Sequence, residues 1–397
     1  MGATDPAESA EIGRHIPALD GIRALAILLV VPHNVDLLRP PVPATDYPVV
    51  LAMHAGWIGV QLFFVLSGFL ITGNLLDTRG SGNYFRAFFG RRALRILPLY
   101  FTVLVVAFVI APLLVTLPQP WVETHSHQVW LWTFLVNWTQ PFNGGVYGFG
   151  HFWSLAVEEQ FYLVWPFVVL LCTPATLTWA CGVAVAVALM TRFILVAAHA
   201  PHETLYMFTL CRMDALALGA AVAAVIRSPV AFERLKRAIP AVATAALVLL
   251  LLTTAGTRGL AMYDVSTQTV GYTLLSLAFA LIVLLTVLPV SGLLSWIMRA
   301  LSWKPLRRVG RYSYGMYIFH LPLHVFIGAP LLYRLAPQPS PNQSLLYTAL
   351  VTLVTFLLAA VSYELFERRF LGLKSRLMPK QPRDQQLRFA QHGGIDT

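Results

Sequence analysis

Ten apolar segments dominate the sequence and restrict the chain to one class of protein. A membrane-crossing helix needs about 20 predominantly apolar residues. The chain is 57% hydrophobic and 12% charged, whereas soluble domains carry about 25% charged residues. The sequence therefore predicts an all-α, polytopic integral membrane protein with about ten transmembrane helices. The predicted spans are 18–38, 54–75, 95–116, 152–172, 177–198, 207–226, 240–254, 270–290, 311–332 and 344–366, of which 240–254 is the shortest.

The basic residues indicate how these spans are oriented. With a cytoplasmic N-terminus, 23 of the 28 lysines and arginines belong to segments on the cytoplasmic side. This asymmetry follows the positive-inside rule and predicts two cytoplasmic termini. The net charge of +10 is thus explained by topology, and we expect no nucleic-acid partner. The expected domains are a cytoplasmic N-terminal segment (1–17), a membrane domain (18–370) and a cytoplasmic, disordered tail (371–397).

Three further features of the sequence have structural interpretations. Gln128 to Phe149 is rich in aromatic residues and glycine, and we expect it to lie in the outer interface or to fold back over the bundle. The three cysteines show no metal or disulfide spacing, and no metal site is predicted. The first apolar segment lacks a clear cleavage site, so we interpret it as a retained span and not a signal peptide.

One span carries polar residues that are costly at lipid depth. The segment from His151 to Trp165 reads HFWSLAVEEQFYLVW, and a charged residue at the bilayer centre costs about 2.5–3.5 kcal/mol on insertion scales. Its residues His151, Ser154, Glu158 and Tyr162 fall on one helical face, which predicts that this face points into the bundle. Glu159 lies on another face, and we expect it to support the structure by pairing with a basic residue on another helix, for which Arg212 is a candidate. The alternative is a helix near the surface with hydrated glutamates.

Depth along the helices predicts a shared polar layer. His33 lies about 20 Å along its span at 1.5 Å per residue, and Glu158 is predicted at a matching depth. Arg212, Asp214 and His320 fall at a similar level in other spans. A histidine beside a carboxylate can act as a general base, so His33 and Glu158 form a candidate catalytic pair. The alternative for His33 is an imidazole bound to a backbone carbonyl.

The third span begins with an arginine cluster, RRALRILPLY, that contains Arg91, Arg92 and Arg95. Guanidinium groups there could bind phosphates, but on sequence alone anchoring at the cytoplasmic side is the better explanation. The glycines Gly56, Gly59, Gly68 and Gly73 of the second span are typical of close helix packing.

Several motifs, taken together and in this order, resemble one family. They are Asp20-Gly21 with Arg23 and a following histidine, GVQLFFVLSGFLIT, RRALRILPLY, GHFWSLAVEEQFYLVWP, RMDALALGA and YSYGMYIFH. The chain is identified by them as similar to acyltransferase family 3, over about Ile16 to Phe370. This resemblance implies transfer of an acyl group, usually acetyl, from cytoplasmic acyl-CoA to a hydroxyl of a cell-envelope or exported carbohydrate.

The resemblance also implies roles for individual residues. His33 would be the catalytic base with Glu158 as its partner, and Arg23, Arg92 and Arg95 would bind the donor. Independently of the resemblance, the helical face and depth arguments lead us to expect that the acceptor is contacted, or the site supported, by His151, Ser154, Glu159, Arg212, Asp214 and His320. Acyl-CoA is a co-substrate, no bound cofactor is expected, and the location would be the bacterial plasma membrane. Alternatives are an acyltransferase for a macrolide or similar glycosylated metabolite, and a transporter or flippase.

The sequence departs from the family pattern in the first span. Nine residues separate Arg23 from His33, where the family usually has ten. At about 100° per residue this places the histidine about 80° from the usual phase, which Asn34 occupies. Pro32 removes a backbone donor and can kink the helix enough to re-aim the imidazole.

Two further departures concern charge and length. Gln61 stands where the family commonly has aspartate in GVDLFF, so a negative charge is lost there. Many members carry an extracytoplasmic hydrolase-like domain after the last span. Only a short tail follows Phe370 in this sequence, and no second catalytic domain is expected within it.

Overall fold

The computed structural model describes residues 16–37, 53–116, 119–143, 145–256, 261–288 and 292–373 of the chain. These residues form helices and connecting segments, with no strand among them. The helical segments are α1 (Pro17–Val35), α2 (Ala55–Thr78), α3 (Tyr84–Leu114), α4 (Gln119–Ser126), α5 (Val129–Trp132), α6 (Val136–Asn143), α7 (Gly150–Leu171), α8 (Pro174–Ala197), α9 (His202–Val225), α10 (Pro229–Gly256), α11 (Thr267–Leu285), α12 (Gly292–Leu301), α13 (Lys304–Leu335) and α14 (Pro341–Gly372).

Nine of the described helices are long and apolar enough to cross a membrane: α1, α2, α3, α7, α8, α9, α11, α13 and α14. Each overlaps one predicted span, although α3 and α13 begin several residues earlier than predicted. The remaining predicted span, 240–254, lies within the 28-residue helix α10, which is not one of the nine. The prediction of an all-α polytopic membrane protein is confirmed. Residues 1–15 and 374–397, which include most of the two predicted terminal segments, lie outside the described residues.

Close backbone contacts between helices form the centre of the bundle. Helices α2 and α9 cross through two glycines that face each other's backbone. A Cβ on Gly68 would lie 1.9 Å from the carbonyl oxygen of Leu216, and a Cβ on Gly219 would lie 1.9 Å from that of Val65. Neither glycine could be replaced even by alanine unless the partner helix moved. The crossing therefore fixes the spacing of the two helices, as the glycines of the second span predict.

The aromatic segment Gln128 to Phe149, which contains α5 and α6, folds back onto the bundle together with the preceding helix α4. Trp121 of α4 is buried and stacks on Phe108 of α3, with ring centroids 4.6 Å apart. Gln160 of α7 holds α6, because its amide nitrogen donates 2.8 Å hydrogen bonds to the carbonyl of Phe134 and to Asn137 Oδ1. Two placements were predicted for this segment, in the outer interface or folded back over the bundle, and the structure shows the second.

Candidate functional site

A cavity of about 100 Å³ lies between α1, α2, α3, α7 and α13. Apolar side chains of α2 form much of its wall. Its polar lining residues are Arg23, Ser67, Arg92, Arg95, Ser154, Glu158, Tyr162, Ser313, Tyr314 and Tyr317. Three residues of the predicted inward face of α7 (Ser154, Glu158 and Tyr162) are among them, so the helical spacing predicts the orientation of this helix correctly.

Glu158 supplies the carboxylate of the cavity. It is within hydrogen-bonding reach of the hydroxyl groups of Tyr162 and Ser67, and Arg92 and Arg95 are its cationic neighbours. Ser67 Oγ and the Tyr162 hydroxyl lie 2.5 Å apart, which joins α2 to α7 next to the carboxylate. Because one of these hydroxyl groups donates to the other, one hydroxyl proton remains for the carboxyl group of Glu158, which also has the two guanidinium groups as neighbours.

The three arginines of the α3 cluster, Arg91, Arg92 and Arg95, differ in their contacts. The Arg92 guanidinium carbon lies 5.1 Å from the centre of the Tyr162 ring, and Arg92 and Arg95 both line the cavity. Arg91, one residue earlier, instead donates a 2.7 Å hydrogen bond to Asn74 Oδ1 of α2. Arg23 reaches the same cavity from α1. The three predicted donor-binding arginines are therefore brought together, and Arg91 is not among them.

Tyr317 and Ser154 form the end of the cavity towards the start of α7. The Tyr317 hydroxyl donates a 2.7 Å hydrogen bond to the backbone carbonyl of His151. Because that bond uses the only hydroxyl proton of Tyr317, Ser154 Oγ is the donor in their 2.6 Å contact. These bonds anchor the first turn of α7 to α13.

His320 and Asn34 join α13 to α1. His320 is fully buried, and its Nδ1 lies 2.7 Å from the carbonyl oxygen of Tyr317, so this nitrogen carries the proton. Its Nε2 is then an acceptor and receives the amide N–H of Asn34 at 3.1 Å. The His320 ring packs edge-on against that of His151, with centroids 4.6 Å apart.

His33 lies outside this arrangement. Its Nδ1 donates to the carbonyl of Met53 at 3.1 Å, and the residue does not line the cavity. Its charged or titratable neighbours are His54 and Asp36, which form a 3.0 Å contact with each other. The structure therefore brings Glu158 and His33 to different surroundings, and the geometry of His33 matches the alternative of an imidazole bound to a backbone carbonyl.

Asp214 belongs to a second polar cluster, at the junction of α8, α9 and α11. Arg192 and Asp214 form a fully buried ion pair at 3.0 Å. Thr273 donates a 2.6 Å hydrogen bond to Asp214 Oδ2, and Arg192 donates to the carbonyl of Cys211 at 3.1 Å. This pair holds three helices together away from the cavity, which indicates a structural role.

Arg212 is paired differently from the prediction. It donates to Gln61 Oε1, and its guanidinium lies among aromatic rings, nearest that of Tyr272 at 4.3 Å. The expected ion pair with Glu159 is wrong, because Arg212 binds Gln61 and the cationic neighbour of Glu159 is Arg92. Gln61 thus takes the place of the family's aspartate as an uncharged partner of a buried cation.

Several contributors to these clusters were missed from sequence, among them Arg192, Ser67 and Tyr317. Arg192 was placed within a span but given no partner. Ser67 gives no signal in an apolar segment, since small residues there usually serve helix packing. Tyr317 precedes His320 by three residues, and that i, i+3 spacing puts both on one helical face. The spacing could have identified Tyr317 beforehand.

Comparisons with known proteins agree with this architecture. The sequence profile of an acyltransferase domain matches residues 16–364. YrhL of Bacillus subtilis (strain 168), provisionally named a peptidoglycan O-acetyltransferase, is 29% identical over 383 residues, which cover 91% of this chain and 56% of YrhL. The peptidoglycan O-acetyltransferase OatA of Listeria monocytogenes is 27% identical over 89% of this chain and 55% of the relative.

The O-acetyltransferase OatA of Staphylococcus aureus (strain NCTC 8325) is 25% identical over 93% of this chain and 60% of its own length. The chain thus spans a little over half the length of these relatives. No solved structure shows a significant match to it. The domain profile covers nearly the whole membrane bundle, including every helix that lines the cavity. The chain therefore belongs to acyltransferase family 3, as an all-α, multi-pass membrane protein.

Proposed function

We propose that this protein transfers an acyl group, most simply acetyl, from acyl-CoA to a hydroxyl of a cell-envelope carbohydrate. The observation that carries the proposal is the convergence of Arg23, Arg92 and Arg95 with Glu158 around one buried cavity. Guanidinium forks bind phosphate groups bidentately, so three of them suit the phosphates and polar stem of coenzyme A. Membership of an acyltransferase family supports the same assignment.

The position of the arginines also indicates the side of the membrane from which each substrate would enter. Arg92 and Arg95 lie near the start of α3, close to the positively charged segments that the sequence predicts to be cytoplasmic. Acyl-CoA would then enter from the cytoplasm, and the bacterial plasma membrane would be the location, with both termini on the cytoplasmic side. The acceptor would approach from the opposite side, where the glycans of the envelope are assembled.

The relatives named as peptidoglycan O-acetyltransferases support a cell-wall glycan as the acceptor. In the transfer, the acceptor oxygen attacks the thioester carbon. The new C–O bond forms, the C–S bond breaks, and the hydroxyl proton passes to a base and finally to the CoA thiolate. The family resemblance implies His33 as this base, although in the structure its Nδ1 donates to the carbonyl of Met53 and the residue does not line the cavity.

The test uses the full chain purified in detergent, with acetyl-CoA as donor and soluble peptidoglycan oligosaccharides as acceptors. Free CoA thiol should appear in step with acetylated oligosaccharide. A transporter or flippase would release no CoA, and an acylase for macrolides would acetylate a macrolide in place of the oligosaccharide. Absence of both products in the wild-type protein would refute the proposed function.

A further inference from the structure

His151 is a buried imidazole next to the wall of the cavity. It is only 5% exposed, and in the part of the chain that the structure describes neither ring nitrogen has a hydrogen-bonding partner. Buried polar side chains nearly always have such partners, so an exception of this kind requires an explanation. Ser154, one helical turn further along α7, lines the cavity itself.

The position of this imidazole is fixed although its nitrogens are not bound. The backbone carbonyl of His151 accepts the 2.7 Å hydrogen bond from Tyr317. The ring packs against those of Phe152 and His320, with centroids 4.6 Å away in both cases, and against Tyr317 at 5.1 Å. A ring held by its neighbours and free at its nitrogens is suited to receive a hydrogen bond from a ligand.

The surroundings of the His151 ring favour a proton on one of its two nitrogens. The imidazole lies beside the backbone carbonyls of Tyr317 and Ile318. Those oxygens attract an N–H, which leaves the lone pair on the other nitrogen. Once the other nitrogen has taken a proton, the negative ends of these carbonyl dipoles would also stabilise the positive charge of the imidazolium.

The first helix explains why the base of this chain differs from the one that the family pattern implies. Asn34, not His33, occupies the inward phase of α1, and its amide donates to His320 Nε2. His33 is turned towards the carbonyl of Met53. His151 does not line the cavity itself, but its ring contacts that of Tyr317, which does, and Ser154 one turn further along α7 also lines it.

We infer that His151 is the catalytic residue that takes the proton of the acceptor hydroxyl. This inference rests on the acyl transfer proposed above. The hydroxyl would donate to the free nitrogen of His151 while its oxygen attacks the thioester carbon. As the C–O bond forms and the C–S bond breaks, His151 becomes an imidazolium, and it then returns the proton to the CoA thiolate to give CoA-SH. Tyr317 is a positioning residue that anchors the His151 backbone.

The experiment compares three single histidine variants of the full chain: His151→Gln, His33→Gln and His324→Gln. His324 is a matched control on α13, one turn beyond His320, and its Nδ1 contacts the Tyr347 hydroxyl at 2.7 Å, outside the cavity. We measure kcat and the KM for acetyl-CoA, with soluble peptidoglycan oligosaccharides as acceptors. His151→Gln should lower kcat by about 10²–10⁴-fold, the typical effect of losing a general base.

The same variant should leave the KM for acetyl-CoA unchanged, and His324→Gln should behave as wild type. If His151→Gln is poorly folded, His151→Phe, which keeps a flat ring against His320, is measured in its place. Added imidazole should raise the rate of His151→Ala and have no effect on His324→Ala. Rescue of this kind separates a base from a residue that only supports the fold.

Three outcomes would overturn the inference. The first is wild-type kcat in His151→Gln, which would indicate an imidazole that binds only water. The second is loss of turnover in His33→Gln while His151→Gln stays active, which would assign the base to His33. The third is an inactive His151→Ala that imidazole does not rescue. An inactive wild-type protein would refute the proposed function instead, so the two failures are distinguishable.

Discussion

The amide nitrogen of Asn34 lies 3.1 Å from Nε2 of His320, which joins the first helix of the bundle to α13 beside the cavity. Both partners are polar groups in an apolar bundle, and His320 has no exposed surface. The adjacent His33 is turned away from this contact towards Met53. A shift of one position along α1 thus decides that Asn34, and not His33, contacts the interior of the bundle.

Replacing Asn34 with alanine should destabilise the bundle. The change leaves Nε2 of His320 buried without a donor, and an unsatisfied buried group costs about 1–3 kcal/mol. The measurement is thermal unfolding of the purified protein in detergent. Leu25→Ala on the exposed side of α1 is the comparison, since Leu25 is 43% exposed. An Asn34→Ala protein as stable as wild type would mean that this hydrogen bond contributes little.

Substitutions of Arg92 and Arg95 test the donor end of the cavity. Either change to alanine should raise the KM for acetyl-CoA about tenfold or more, because a hydrogen bond to a charged group contributes about 1.5–3 kcal/mol. Lysine should rescue only partly, since a point charge replaces a planar fork. Arg91→Ala is the matched control, because Arg91 binds Asn74 and does not line the cavity. Equal effects at all three positions would favour membrane anchoring.

Glu158 and Glu159 should respond differently to loss of charge. Glu158→Gln keeps the shape of a side chain that lines the cavity beside Arg92, and it should lower kcat by roughly 10²-fold, as is typical for losing one preorganised polar group. Glu159→Gln should have the smaller effect on kcat, because Glu159 does not line the cavity. Steady-state kinetics at matched folded yield distinguish them. A larger loss in Glu159→Gln would contradict the assignment of Glu158 to the site.

The buried ion pair of α8 and α9 should matter for stability and not for chemistry. Asp214→Asn leaves Arg192 without its counter-charge at zero exposure, and breaking a buried pair on one side costs about 3–5 kcal/mol. Asp77→Asn, which breaks the more exposed pair with Arg227, should cost less than about 1 kcal/mol. Unfolding temperatures measured in the same detergent give the comparison. Similar shifts in the two variants would show that burial does not decide the energy of the pair.

Much of the architecture is determined by the apolar composition of the segments and by the helical spacing of their polar residues. In a bilayer the backbone N–H and C=O groups of an apolar segment have no water to bind, so they form hydrogen bonds within a helix. The nine long apolar helices among the described residues can therefore be predicted from sequence without knowing which helices they contact. Helical spacing is also a local property. It therefore predicts that Ser154, Glu158 and Tyr162 share the inward face of α7, and that Asn34 takes the phase usually held by a histidine.

Partner choice between helices was decided only by the tertiary structure. Arg212 pairs with Gln61 and aromatic rings and not with Glu159, and Asp214 pairs with Arg192. Depth along a helix says which polar groups share a layer, but it carries no information on the rotation of one helix about another. That rotation is set by packing, such as the crossing at Gly68 and Gly219. For the same reason the sequence placed His33 and Glu158 in one layer, and the structure gives each of them different neighbours.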